Sequence, residues 1–267
     1  MSHGAEDTAS PRILIEDRGL VRTITFNRPD KRNAFDEQLL TELHDAIVAA
    51  GSRDETRVVI LTGDDRAFSA GADLHDLVSH SPVQARAANR RSWMRTFAAI
   101  EALDKPVIAA VRGFAVAGGT ELILACDLVV AADDAAFGLA EIRVGVMPGA
   151  GAVARLTRWV GRAHAKEMLM TGESMSGREA HRIGLVNRVV PAAEVLAEAD
   201  RLADLLAARS PLAMAAVKRS VNMASEVPLP YAMDHALQEF ALLFASADQQ
   251  EGMTAFLEKR HPKFTGR

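Results

Sequence analysis

The chain has 267 residues, 49% apolar and 25% charged, with a net charge of −4 and a single cysteine. That balance supports a large buried core and excludes disordered, collagen-like and disulfide-stapled chains. The scattered basic residues give no electrostatic footprint for nucleic acid or an anionic membrane.

Residues 1–11 are polar and read as a flexible tail without the apolar segment of a secretory signal. ILIED (13–17) and VRTITFN (21–27) flank Arg18-Gly19, the pattern of a β-hairpin. After the turn RPDKRN (28–33), Asp36 is the expected N-cap of a helix with Leu39, Leu40, Leu43, Ile47 and Val48 on its apolar face. RVVILTG (57–63) is a continuous apolar run, as in a strand buried on both faces. A helix around 83–102 leads into a second such strand, PVIAAVRG (106–113). GGTELILACD (118–127) then reads as a helix, LVVAAD (128–133) as a strand and AAFGLAE (135–141) as a short segment. The stretch 107–140 is the most apolar, but Arg112, Glu121 and Asp127 interrupt it, so no bilayer span is expected. Beyond Gly149 the pattern is helical, with VNRVV (186–190) as a last strand and helices expected over 192–208, 211–224 and 230–258, the last broken near Asp248. Strand and helix thus alternate through 12–190, which predicts an α/β core with a parallel sheet, and 191–267 is an appended helical region. The lone Cys126 cannot close an internal disulfide and fits a reducing, cytoplasmic setting.

Several motifs fail on inspection. GFAVAGGT (113–120) mimics a phosphate loop but has Gly119 where the lysine belongs. GAGAVA (149–154) satisfies the dinucleotide fingerprint without the required strand before it or a strand ending in an acidic residue after it. The histidines show no zinc spacing, Ser69 lies in no nucleophile elbow, and Cys126 sits in an apolar run as a core thiol.

Two loops carry more. Gly118-Gly119 opens a helix just past a buried strand, exposing unpaired N–H groups that suit an oxyanion. The small-residue loop Ser69-Ala70-Gly71-Ala72-Asp73 also follows a buried strand, so the two could each supply one N–H to a single oxygen. Composition alone leaves open that both are simply tight turns. Glu121, in the first turn of the Gly118 helix, is favoured as a carboxylate by the dipole and opposed by its apolar surroundings. Glu141 follows the next strand and returns to the same end of the sheet. Each fits a capping or surface role alone; together beside a glycine cradle they are what an acid–base pair needs.

Taken together, RPDKRNAF (28–35), AFSAGADL (67–74), the long stretch from Lys105 to Leu156, TGESMSGREAHRIGLVNRVVP (171–191) and EGMTAFLEKRHPKFTGR (251–267) resemble the crotonase family, the enoyl-coenzyme A hydratases and isomerases. The resemblance covers nearly the whole chain. It implies a spiral of ββα turns with a helical, trimer-forming C-terminal region, assembled as trimers or pairs of trimers. It also implies oxyanion-hole N–H groups at Ala72 and Gly118, catalytic carboxylates at Glu121 and Glu141, and a backbone at Gly149 lying against the reacting water. Coenzyme A, present only as part of the thioester substrate and not as a resident cofactor, would be met by Arg28, Lys31, Asp73 and Leu74, and by Phe240 and Lys259 of a neighbouring subunit. His75 departs from the family, standing where many hydratases carry lysine. Isomerases of the family keep the carboxylate matched by Glu141 and replace the one matched by Glu121; here both are present. RNA-binding members use a lysine-rich first helix, whereas DEQLLTELHDAIVAAG (36–51) has no lysine and four acidic residues. The acyl-group wall is expected from 74–97, including Leu77, Trp93, Met94 and Phe97.

Overall fold

The structure, a computed structural model, describes residues 10–267; the expected tail lies, but for its last two residues, outside them. The described residues form two sheets. The larger has six strands in the order β1 (Ile13–Arg18), β2 (Val21–Phe26), β3 (Val58–Thr62), β4 (Val107–Val111), β6 (Leu128–Ala132) and β9 (Arg188–Val190). Only the β1–β2 hairpin is antiparallel; every other pairing is parallel. β3 and β4 are buried at all five positions, as continuous Val/Ile/Leu/Ala runs require when helices cover both faces of a parallel sheet.

The smaller sheet holds β5 (Phe114–Val116), β7 (Ala136–Gly138) and β8 (Ser174–Ser176), with β5 and β7 parallel and β8 antiparallel to β7. The sequence reading missed β5 and β8. Strands of three residues are too short for an alternating pattern to show. β4 and β6 are each followed by a short strand in the other sheet, and then by a helix or a helical turn. β4, β5 and α5 (Gly118–Ile123) form one such unit; β6, β7 and a 3-10 turn (Ala140–Val144) form the next.

Helices surround the sheets. Asp36 caps α1 (Glu37–Ser52) through Leu39 N–H, as expected, at 2.8 Å. The segment expected as one helix over 83–102 follows the short α2 (Leu74–Leu77) and has three parts: α3 (Pro82–Ala88), a π-helical turn (Asn89–Met94) and α4 (Arg95–Ala102). α5 ends at Ile123, earlier than expected, because the Asp127 N–H is already bonded to Val107 O at the entry to β6. α6 (Ala152–Thr171) and α7 (Gly177–Arg182) precede the C-terminal helices α8 (Val195–Ala207), α9 (Pro211–Ala224), α10 (Leu229–Leu243) and α11 (Ala247–Leu257). The last break falls at 244–246, and Asp248 is buried inside α11, where it accepts from Ser210 Oγ and the Thr265 N–H. No described helix is long and apolar enough to cross a membrane.

Candidate active site

The loop leaving β3 is stitched across the molecule before it reaches Ala72. Ser69 bridges to Ala115 and Ala72 to Phe35; Phe35 N–H donates to Gly71 O (2.7 Å) and Asp73 N–H to Phe35 O (3.0 Å). These bonds leave the intervening Ala72 N–H without an acceptor among the described residues. Gly71 has φ +87°, and a Cβ there would stand 2.8 Å from the Gly118 nitrogen, so only glycine permits the two loops to touch. On the other side β5 delivers Ala117 at φ +49°, a conformation costly for a residue with a side chain, held by its N–H to Gly138 O (2.8 Å). That twist opens α5 at Gly118, whose N–H likewise has no acceptor among the described residues. The two loops, in which the family resemblance singles out the Ala72 and Gly118 N–H groups, thus come into contact at Gly71 and Gly118.

The carboxylates hang from neighbouring strands of the small sheet. Glu121, on the first turn of α5 after β5, is 4% exposed, and its Oε1 accepts from the N–H groups of Ala150 (2.9 Å) and Ala152 (3.1 Å). It therefore also caps α6, whose first residue is Ala152. Burial raises its pKa despite those donors and the nearby Arg155 charge, so desolvation outweighs them. Glu141 follows β7 in the 3-10 turn, and burial, together with repulsion from Glu121, pushes its pKa up to about 7. Its Oε2 is buried without a hydrogen-bond partner. Two carboxyls with raised pKa values, one tied by two N–H donors and the other carrying an unpaired oxygen, form an asymmetric pair beside free N–H donors.

The π-helical turn closes this region. A Cβ on Gly118 would lie 2.4 Å from Trp93 Cζ3, and one on Gly149 would lie 2.6 Å from Asn89 Nδ2, so one turn sets an indole against the first glycine and an amide against the second. Trp93 is held edge-on by Phe35 and Phe97, with centroids 5.5 and 5.9 Å away. Asn89 was not anticipated; its Oδ1 is buried without a partner, and only the register of the π turn reveals it. Phe97, expected in the wall, is fully buried and belongs to the core, on the helix α4 that packs against α1.

The enoyl-CoA hydratase/isomerase family matches residues 16–267. A 2,3-dehydroadipyl-CoA hydratase of Escherichia coli is 40% identical, the match covering 96% of this chain and 99% of that protein. A crotonyl-CoA hydratase of Syntrophomonas wolfei is 39% identical over 96% of this chain and 98% of its own. Among solved structures, an enoyl-CoA hydratase of Bacillus anthracis superposes with TM-score 0.92 at 36% identity, covering 96% of this chain and all of that one. The chain belongs to this family. Its fold is the crotonase ββα spiral with a helical C-terminal region, as the resemblance implied.

Against that crotonase frame, the residues expected near coenzyme A separate into two kinds. Arg28 and Asp73 pair with each other (3.3 Å); Arg28 also meets Asp36 (3.2 Å) and donates to Ala34 O, so its guanidinium braces the loop that carries Ala72. Lys31, Leu74 and His75 are exposed at the same edge, and Asp73 Oδ1 accepts from the His75 N–H. Phe240, on α10 and packed edge-on against Phe244, and Lys259, just past α11, are exposed on the C-terminal helices. Gly149 is exposed with Asn89 beside it.

Proposed function

We propose that the protein is an enoyl-CoA hydratase, adding water in syn fashion to a trans-2-enoyl-CoA thioester to give the 3-hydroxyacyl-CoA. The observation that carries this reading is the placement of two carboxyls, the buried Glu121 and the half-buried Glu141, on adjacent strand ends beside two N–H groups with no acceptor. The N–H groups of Ala72 and Gly118 donate to the thioester oxygen as it takes on enolate charge, each worth about 3 kcal/mol. Glu121, whose carboxylate is held by two N–H donors although burial raises its pKa, takes a proton from the water, and the hydroxide oxygen bonds to Cβ. Glu141, neutral below about pH 7, gives its proton to Cα. The π electrons pass to the thioester oxygen and return to form the Cα–H bond, so the product gains the elements of one water. The backbone at Gly149 lies along the water.

Lys31 and Leu74 face the coenzyme, while Arg28 and Asp73 shape the loop; Phe240 and Lys259 act on a neighbouring copy, in a homotrimer or a pair of trimers. Coenzyme A enters only with the substrate. Trp93 against Gly118 forms the acyl wall together with Leu77 and Met94. Hydratases of dehydroadipyl-CoA and crotonyl-CoA among the relatives support the reaction class. The test is a panel of trans-2-enoyl-CoA thioesters: absorbance of the conjugated thioester should fall, and thioesters, unlike NAD, should raise the melting temperature. No absorbance loss with any chain, while 3-enoyl-CoA is converted to 2-enoyl-CoA, would replace the hydratase by an isomerase.

A further inference from the structure

An ion pair reaches the turn that holds the Glu121 carboxylate. Arg155, in the first turn of α6, donates from Nε and Nη2 to Glu101 Oε1 and Oε2 on α4 (2.5 and 2.7 Å), and from Nη1 to Ala150 O (2.9 Å). Ala150 and Ala152 are the two residues whose N–H groups grip Glu121. Between them stands Gly151 at φ +111°, where a Cβ would come within 2.1 Å of Arg155 Nη1; glycine alone lets the guanidinium reach the turn. Arg155 is four-fifths buried, and all three of its named bonds converge on this turn and on one carboxylate.

We infer that Arg155 is a positioning residue for Glu121, clamping the 150–152 turn so that its N–H groups stay on the Glu121 carboxylate, with Glu101 as the counter-charge that limits the pull. The inference rests on the reading of Glu121 as the water-activating base. The charged groups acting here are Arg155 on α6, which draws Glu121 toward ionisation; Glu141 beyond β7, which repels it; Glu101, which neutralises Arg155; and Glu226 beyond α9, a weaker attraction on Arg155. A clamp that mattered only for packing would respond alike to loss of either partner. An electrostatic clamp responds in opposite senses.

Two variants decide between these. Arg155→Met removes the positive charge, so the acid limb of kcat/KM should rise by about one pH unit; Glu101→Gln frees the charge of Arg155, so the limb should fall. Arg155→Lys keeps the charge and should leave the limb in place while kcat drops several-fold through lost geometry. The same titration is read without turnover from carbon-13-labelled glutamate, the Glu121 signal being the one missing in Glu121→Gln. Displacement of the limb and the Glu121 signal in the same direction by Arg155→Met and Glu101→Gln, or in neither, overturns the inference. If Arg155→Met does not fold, the direction in Glu101→Gln decides alone. A wild-type protein that hydrates no enoyl-CoA overturns the hydratase reading instead, and the Glu121 signal still reports on the clamp.

Discussion

In β3 and β4 every residue is buried, whereas in α10, fifteen residues long, only Ala232 is. Leu229, Tyr231, Met233, Leu237 and Phe240 on that helix are all more than half exposed, and Phe256 and Leu257 on α11 reach 83% and 80%. The two regions share an apolar composition but differ in where it goes. The sheet core satisfies itself within one chain, and the candidate site hangs from it. The C-terminal helices leave an apolar surface of the kind that a further copy covers. The proposed chemistry and the proposed assembly therefore draw on different regions of the chain, which meet only where Phe240 and Lys259 would reach a neighbouring copy.

The largest effect should come from the core. Glu121→Gln should lower hydration by about a thousandfold with coenzyme A affinity and melting temperature retained, since an isosteric amide removes the base and no packing. Residual isomerisation should survive that change better than hydration and should vanish in Glu141→Gln. Hydration at wild-type rates in Glu121→Gln would undo the division of roles.

Next is a matched pair of truncations. Phe35→Ala empties a site enclosed by Phe26 and Trp93 and should cost about 3–5 kcal/mol in chemical denaturation. Phe256→Ala should cost no more than about 0.5 kcal/mol in a dissociated chain, because its ring already faces solvent. Equal costs in dissociated chains would abolish the contrast between the regions.

The double change Leu237→Asp and Phe240→Asp should shift sedimentation toward smaller species at micromolar concentration, leaving the fold by circular dichroism intact. A wild-type protein already monomeric would remove the assembly from the account.

The smallest effect is graded by pH. Glu141 must be neutral to donate, so hydration should fall up to tenfold per pH unit above about pH 7. Its folded pKa lies above the ordinary 4.5, so the stability tied to its neutral form is present below pH 4.5 and is lost as pH rises through about 7. Glu141→Gln should flatten that part of the stability profile, and an unchanged slope would show that burial does not govern the group.

Much of this arrangement could be read beforehand, for reasons that differ by element. Asp36, the β1–β2 hairpin and the buried runs of β3 and β4 announce themselves through local chemistry, since capping and burial on two faces each leave a pattern in consecutive residues. The approach of the Ser69–Asp73 loop to Gly118, and of Glu121 to Glu141, could be anticipated from loops following successive buried strands, whereas Ala72 as a donor comes only from the family resemblance. β5 and β8 could not, because three residues carry no period. Asn89 was hidden by the π turn, which shifts register without marking composition, and Phe97 was misplaced in the wall for the same reason. The grip of Ala150 and Ala152 on Glu121 is made by main-chain N–H groups 29 and 31 residues away, to which side-chain identity is nearly indifferent. Arg28 reads as a free cation near a phosphate until its pairing with Asp36 and Asp73 is seen.

The small sheet has a practical consequence for redesign. Glu121 and Glu141 follow β5 and β7, whose separation is set by main-chain hydrogen bonds. The indole and amide facing the two glycines come from a different piece of chain, the turn between α3 and α4. On the proposed reading, a library varied at positions 77, 89, 93 and 94 would therefore recast the chamber around the acyl group while the spacing of the two carboxyls stays fixed by backbone. Such a scaffold lets selection explore new substrates without having to rediscover the reaction each time.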